Sequence, residues 1–212
     1  MGQPKALLPV GDEVMLQRVC RTLAPLVRPV VVVAAVGQEL PDLSNTWLTK
    51  NWPRSTTPAF EPPLATVSPV IRVAHDSVEY RGPLAGLAVG MAQLASEVDG
   101  VYVSACDAPL LRPAFIRAMV DALGEAEIAV PFDGRFHHPL AAVYRMSVLP
   151  VIEELLAADR LRPVFLFENC RTREVSLEDL RRVDPELDSL CNTNTPEEYE
   201  QALVRIAHEA AL

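Results

Sequence analysis

The sequence predicts an α/β fold, a mainly parallel sheet with helices on both faces. Two observations carry this expectation. Short β-branched runs of strand length recur along the chain as continuous apolar segments, which is how strands buried on both faces read. Between them lie amphipathic stretches at helical spacing, the alternation that builds βαβ units. With 212 residues, the chain suits a single domain spanning 1–212 with a sizeable core.

Taken in order, Leu16, Val19, Cys20, Leu23 and Val27 recur at helical spacing ahead of the first buried strand, Pro29 to Val36. Val70 to Ala74 reads as the next strand. Leu84, Leu87, Met91 and Leu94 then form a second helical face, followed by the strand Val101 to Ala105. Glu127 to Val130 repeats the strand signal, and His138 opens a further strand from Leu140 to Tyr144. Leu149, Ile152, Leu155 and Leu156 line a third helix. The last helix has the clearest start, with Thr195 as N-cap, Pro196 in the first turn and Glu198 three residues after the cap. Tyr199, Leu203 and Ile206 face inward along it.

One region breaks the rhythm. Leu40 to Pro69 is rich in Pro, Ser, Thr and Asn, carries Trp47 and Trp52, and shows little periodicity. A stretch this long without elements of its own reads as a flexible insertion at 40–69, dispensable for chemistry.

Composition narrows the function. The net charge of -9 and the pI near 5.0 argue against a nucleic-acid binder, which needs a basic face to neutralise phosphates. Cys20, Cys106, Cys170 and Cys191 are scattered without zinc-like spacing, which predicts reduced thiols and a cytoplasmic setting. The longest apolar run, Val30 to Val36, is too short to span a bilayer. No membrane or nucleic-acid partner is expected.

The strongest chemical signal is Val101-Tyr102-Val103-Ser104-Ala105-Cys106-Asp107-Ala108-Pro109. An apolar strand ends there in an aspartate, and ligands of open parallel sheets sit at the carboxyl ends of strands. A carboxylate so placed suits Mg²⁺, which takes one or two protein carboxylates plus phosphate oxygens. The same residue could instead cap the following helix. Asp76 precedes Gly82-Pro83-Leu84-Ala85-Gly86, a turn that lets backbone approach a ligand at a helix N-terminus. Asn192-Thr193-Asn194-Thr195-Pro196-Glu197 sets two amides just ahead of the final helix. Lys5, in Met1-Gly2-Gln3-Pro4-Lys5, follows a small-residue turn in the manner of a phosphate-binding loop.

Together, M-G-x-P-K, D-x(5)-G-P-L-A-G, C-D-x-P, H-P-L and N-x-N-T-P-E occur in one order along the chain. In that order they resemble the molybdenum cofactor guanylyltransferases, with the related cytidylyltransferases close behind. The resemblance runs from residue 1 to about 205, outside the Leu40 to Pro69 segment. It implies a Rossmann-like nucleotidyltransferase fold and an enzyme that transfers GMP from GTP to molybdopterin-bound molybdenum, releasing pyrophosphate. It implies that Lys5 and Asp107 are catalytic, and that Lys5, Asp76, Gly82 and Asp107 bind nucleotide. His138, Asn192 and Asn194 would border the acceptor, and Asp107 and Asn194 would hold Mg²⁺. Molybdenum-insertion proteins or molybdoenzymes are the implied protein partners.

Two departures from the family pattern shape the expectation. The first central strand and its glycine-rich loop are expected to be absent, with Met1 standing at an internal methionine of the pattern. Val36-Gly37-Gln38 stands where the family carries an asparagine, which leaves base choice open. A CTP-dependent cytidylyltransferase, a sugar-1-phosphate nucleotidyltransferase and an inactive remnant that binds cofactor or partner are the alternatives.

Overall fold

The computed structural model describes residues 4–50, 71–76, 81–95 and 97–210. A 3₁₀ turn at Lys5–Leu7 precedes a short antiparallel hairpin, β1 (Pro9–Val10) and β2 (Glu13–Val14), which feeds α1 (Met15–Leu23). The predicted strand at Pro29 to Val36 is β3 (Val30–Ala35). After α2 (Asn45–Lys50), β4 (Ile71–Asp76) pairs with β3 in parallel, Val30 opposite Ile71 and Ala35 opposite Asp76.

The chain continues through α3 (Gly82–Ala92), β5 (Gly100–Tyr102), α4 (Pro113–Leu123), β6 (Ile128–Phe132) and β7 (Val143–Arg145). It closes with α5 (Leu149–Ala157), α6 (Pro163–Asn169), β8 (Thr172–Ser176), α7 (Leu177–Leu180) and α8 (Pro196–Ala210). Proline stands at the first or second position of α3, α4, α5 and α6, where its missing N–H costs nothing and its fixed φ suits the helix.

The sheet is mixed. β3 and β4 pair in parallel, as do β6 and β8, while β7 runs antiparallel between β5 and β6 in the order β5-β7-β6-β8. Only residues 133–142 join β6 to β7. A parallel return needs a crossover of a dozen or more residues, so a link this short leaves only the antiparallel one. The predicted strand at Leu140 to Tyr144 is therefore displaced. Pro139–Ala141 forms a 3₁₀ turn, and β7 starts at Val143.

Helices cover both faces. Leu16, Val19, Cys20 and Leu23 of α1 pack on Val30 and Val32 of β3 and reach Tyr102 of β5. On the other face, Leu84, Leu87 and Met91 of α3 pack with Val101 and Val103 and with Ile152 and Leu155 of α5. α8 lays Tyr199, Leu203 and Ile206 on Leu8, Val10 and Met15, so the two ends of the described chain share one small core.

The expectation of a flexible insertion fails over its first eleven residues. Leu48 is fully buried, and Leu40, Leu43 and Trp47 pack against the core under α1. Ser44 caps α2, its hydroxyl accepting from the Trp47 amide at 3.2 Å. Gln17 of α1 donates to the Asp42 carbonyl at 2.8 Å. The residues spaced Leu40, Leu43, Trp47 and Leu48 form one apolar face, which the surrounding Pro, Ser and Thr content masks. Positions 51–69, including Trp52, lie outside the described residues.

Candidate active site

Three of the residues singled out from the sequence meet at one point. Lys5 Nζ donates to Asp107 Oδ2 at 2.8 Å and to Asn194 Oδ1 at 2.7 Å. Asp107 lies just past β5, whose pairing continues through Val103 N to Ala142 O and Ala105 N to Leu140 O. The strand thus carries its carboxylate to the edge of the sheet. Asp107 is buried, whereas the Lys5 side chain is about one-third exposed. The ammonium can leave its partners for an incoming anion without a burial penalty.

The loop carrying Asn194 is held over that edge by a capping box that the spacing predicts and by long-range contacts that it does not. Thr193, buried, donates its N–H to the Asp107 carbonyl at 3.0 Å. Glu198 accepts from the amides of Asn194 and Thr195 at 2.7 and 2.9 Å, and Thr195 Oγ1 accepts from Glu198 N at 3.2 Å. That is the predicted capping box, and it fixes the backbone from which Asn194 reaches Lys5. Further back, Asp184 is fully buried and accepts from the amides of Asp188 and Ser189 at 3.1 and 2.8 Å. Arg112, at the start of α4, binds Asp188 at 2.5 Å, and Arg205 of α8 binds the same carboxylate. Buried carboxylates survive only when so paired, and this network ties α4, the 184–189 turn and α8 into one support. Its members are separated by up to 93 positions, which is why no local motif announced them.

Asp76 and Gly82 stand on the neighbouring wall. Asp76 ends β4, and Gly82 opens α3 with φ of +73°, a left-handed conformation that glycine adopts without steric cost. Both line the same cavity as Ala105 and Cys106, the residues just ahead of Asp107. Asp76 and Gly82 thus share a cavity wall with the residues just ahead of Asp107, while Lys5 and Asp107 stand outside that lining. His138 and Asn192 are not drawn into the Lys5 cluster. His138 is half-buried on the turn before β7, its Nε2 without a hydrogen-bond partner, and burial lowers its pKa. Asn192 is exposed.

Among the described residues no group of three or more His, Cys, Asp or Glu side chains clusters as a metal site. The donors that do converge are one carboxylate oxygen and one amide oxygen, both on the Lys5 ammonium. An all-oxygen pair of this kind fits Mg²⁺, which keeps several waters and needs few protein ligands.

The family model of the MobA-like NTP transferase domain matches residues 1–173. The molybdenum cofactor guanylyltransferase of Desulfosudis oleivorans is 35% identical over 131 residues, 61% of this chain and 64% of that protein. The matched stretch thus spans just under two thirds of that relative. A Pelotomaculum thermopropionicum protein named "Probable molybdenum cofactor guanylyltransferase" is 29% identical over 96% of this chain and 86% of its own length. Among solved structures, molybdopterin-guanine dinucleotide biosynthesis protein A from Archaeoglobus fulgidus matches with a TM-score of 0.69 at 18% identity, covering 98% of this chain and 92% of that one. The 2-C-methyl-D-erythritol 4-phosphate cytidylyltransferase of Thermus thermophilus matches with a TM-score of 0.57 at 15% identity, over 97% and 95% of the two chains. These two show the fold. The family model, which matches well over half of the chain, makes it a member of the MobA-like NTP transferase domain family.

Proposed function

We propose that the chain is a nucleotidyltransferase that moves GMP from GTP to molybdopterin-bound molybdenum, in molybdenum cofactor biosynthesis. The observation that carries this reading is the meeting of Lys5, Asp107 and Asn194 at the carboxyl end of β5, in a member of a family whose relatives bear that name.

In such a transfer an acceptor phosphate oxygen bonds to the α-phosphorus. The bond from that phosphorus to the β-phosphate bridging oxygen breaks, and its electron pair leaves with pyrophosphate. Little covalent work falls to the protein, which supplies position and charge. Lys5, a mobile point charge on a flexible stem, exchanges its carboxylate and amide for the nucleotide phosphate oxygens. Asp107 and Asn194 are then free to hold Mg²⁺, whose contribution when bound is to neutralise phosphate charge. Asp76 and the Gly82 backbone border the nucleotide, while His138 and Asn192 flank the acceptor side.

The test is a nucleotide panel with the full chain, reading Mg²⁺-dependent binding of GTP, CTP, ATP and UTP by calorimetry. GTP binding that is lost in Asp107→Asn supports the reading. Preference for CTP would assign the chain to cytidylyl transfer, and metal-independent or absent binding of all four would reject catalysis.

A further inference from the structure

The turn that opens α3 carries a residue that local rules do not explain. Arg81 is the N-cap residue of that helix, and its side chain caps none of the first amides. A guanidinium has no acceptor with which to cap. Its charge also stands at the end of α3 where the helix dipole is positive.

The side chain turns instead to another helix. Arg81 Nη2 donates to the Leu156 carbonyl at 2.6 Å. Leu156 lies in the last turn of α5, where carbonyls lack helical partners and the dipole is negative. Asp159 Oδ1 stands 3.8 Å from the same nitrogen, but its side chain is 86% exposed, so that pair adds little. The Leu156 carbonyl also accepts from Asp159 N at 3.2 Å. It would stay paired without the arginine, so α5 does not need this contact.

The start of α3 does. Leu84, Leu87 and Met91 pack with Ile152 and Leu155 of α5, and apolar contact of this kind has no direction. A hydrogen bond from a charged donor has direction. This one fixes the residue immediately before Gly82, whose φ of +73° sets the turn. The Leu161 carbonyl lies 3.7 Å from where a Cβ on Gly82 would stand, so the chain that follows α5 backs the same turn.

We propose that Arg81 is a positioning residue for the nucleotide. By tying the start of α3 to the end of α5 it holds the Gly82 backbone in the conformation that borders the ligand. It acts through that backbone and not by contact with the phosphates. The inference rests on the reading of Asp76 and Gly82 as the nucleotide side of the site.

The test uses the full chain, with GTP as the probe, titrated by calorimetry at fixed Mg²⁺. Nitrogen-15 relaxation of the Gly82 amide is read separately, without nucleotide. In Arg81→Ala, GTP affinity should fall about tenfold through lost preorganisation. The Gly82 order parameter should drop from about 0.85 to below about 0.6, with Tm within about 3 °C of the parent. Arg81→Lys keeps a cationic donor of similar reach and should restore most of both. Asp159→Asn removes the weak ion pair, suits the left-handed backbone there (φ +56°), and should change neither. Unchanged GTP affinity in Arg81→Ala overturns the proposal. Lost affinity with Gly82 still rigid overturns it too, because that result marks direct contact between Arg81 and the phosphates. A parent chain that binds no GTP rejects the proposed activity, and the relaxation data then decide alone. Gly82 still rigid in Arg81→Ala overturns the tie, and Gly82 loosened there and restored by lysine supports it.

Discussion

Lys5 and Asn194 stand 189 positions apart in the chain, and the lysine ammonium donates to the asparagine amide oxygen at 2.7 Å. The contact is possible because α8, which follows Asn194, packs Tyr199, Leu203 and Ile206 onto Leu8, Val10 and Met15, just after Lys5. Two distant segments are fixed side by side by apolar burial, and their polar residues converge as a consequence. The hydrogen bond is the outcome of that packing rather than its cause.

Replacing Asp107 by Asn tests the cluster at its centre. The amide is isosteric, so the fold should persist with Tm moved by roughly 2–6 °C. Nucleotidyl transfer should fall about 10²–10³-fold, the range seen when one preorganised charge-stabilising group is removed. Initial rates of pyrophosphate release check this, with the Tm as the control for folding. Turnover within twofold of the parent chain would remove Asp107 from the chemistry.

The support behind Asn194 carries its own prediction. Asp184→Ala leaves the amides of Asp188 and Ser189 buried without acceptors and takes one carboxylate from Arg112. Unpaired buried donors cost about 1–3 kcal/mol each, so a loss of about 2–4 kcal/mol is expected after discounting for the partly exposed arginine. Asp184→Asn, which keeps one acceptor oxygen, should lose about half as much. Urea unfolding at unchanged m-value measures both, and an Asp184→Ala loss below 1 kcal/mol would show the network to be ornamental.

His138 gives a pH dependence. Desolvation lowers its pKa in the folded chain, and the charge of His137 adds to this against the opposing pull of Asp133. A base whose folded pKa is depressed binds fewer protons folded than unfolded once the pH drops below its ordinary value near 6.5. Its contribution is therefore complete above about pH 6.5 and declines as the pH falls toward the folded pKa. The Tm difference between the parent chain and His138→Gln should shift against the parent on going from about pH 7.5 to pH 5. A constant difference across that range would mean that His138 does not titrate there.

Much of this was legible in the residues, and the exceptions have physical causes. β3, read at Pro29 to Val36 and formed by Val30–Ala35, and β5, read at Val101 to Ala105 and formed by Gly100–Tyr102, announced themselves as apolar runs lying between helices on both faces. The start of the last helix was marked by Thr195, Pro196 and Glu198, whereas α4 and α6, which also open on proline, were not read from the sequence. Lys5, Asp107 and Asn194 could be named one by one, and the family resemblance alone implied their meeting, by setting Asp107 and Asn194 on one Mg²⁺; the packing of α8 on Leu8, Val10 and Met15 that brings it about left no local signal. The Asp184–Asp188–Arg112–Arg205 network stayed hidden for the same reason. The direction of β7 was recoverable from the ten residues 133–142 before it, too few for a crossover helix. The α2 segment was misread because its composition is that of a loop, while its four apolar residues supply the burial that decides the outcome.

That misreading has a direct test. Leu48 is fully buried against the core under α1, so Leu48→Ala should cost about 2–4 kcal/mol through lost transfer energy and the cavity left behind. Two deletions separate the halves of the former insertion. Joining Lys50 to Val70 through a short linker keeps Leu40, Leu43, Trp47 and Leu48 in place and should leave Tm within a few degrees. Joining Gln38 to Val70 removes all four and also takes the Asp42 carbonyl from Gln17. That form should unfold at clearly lower urea and expose the apolar face of α1 to dye binding. If both deletions melt together near the parent Tm, the packing of α2 contributes nothing to stability, and the segment returns to being a dispensable loop.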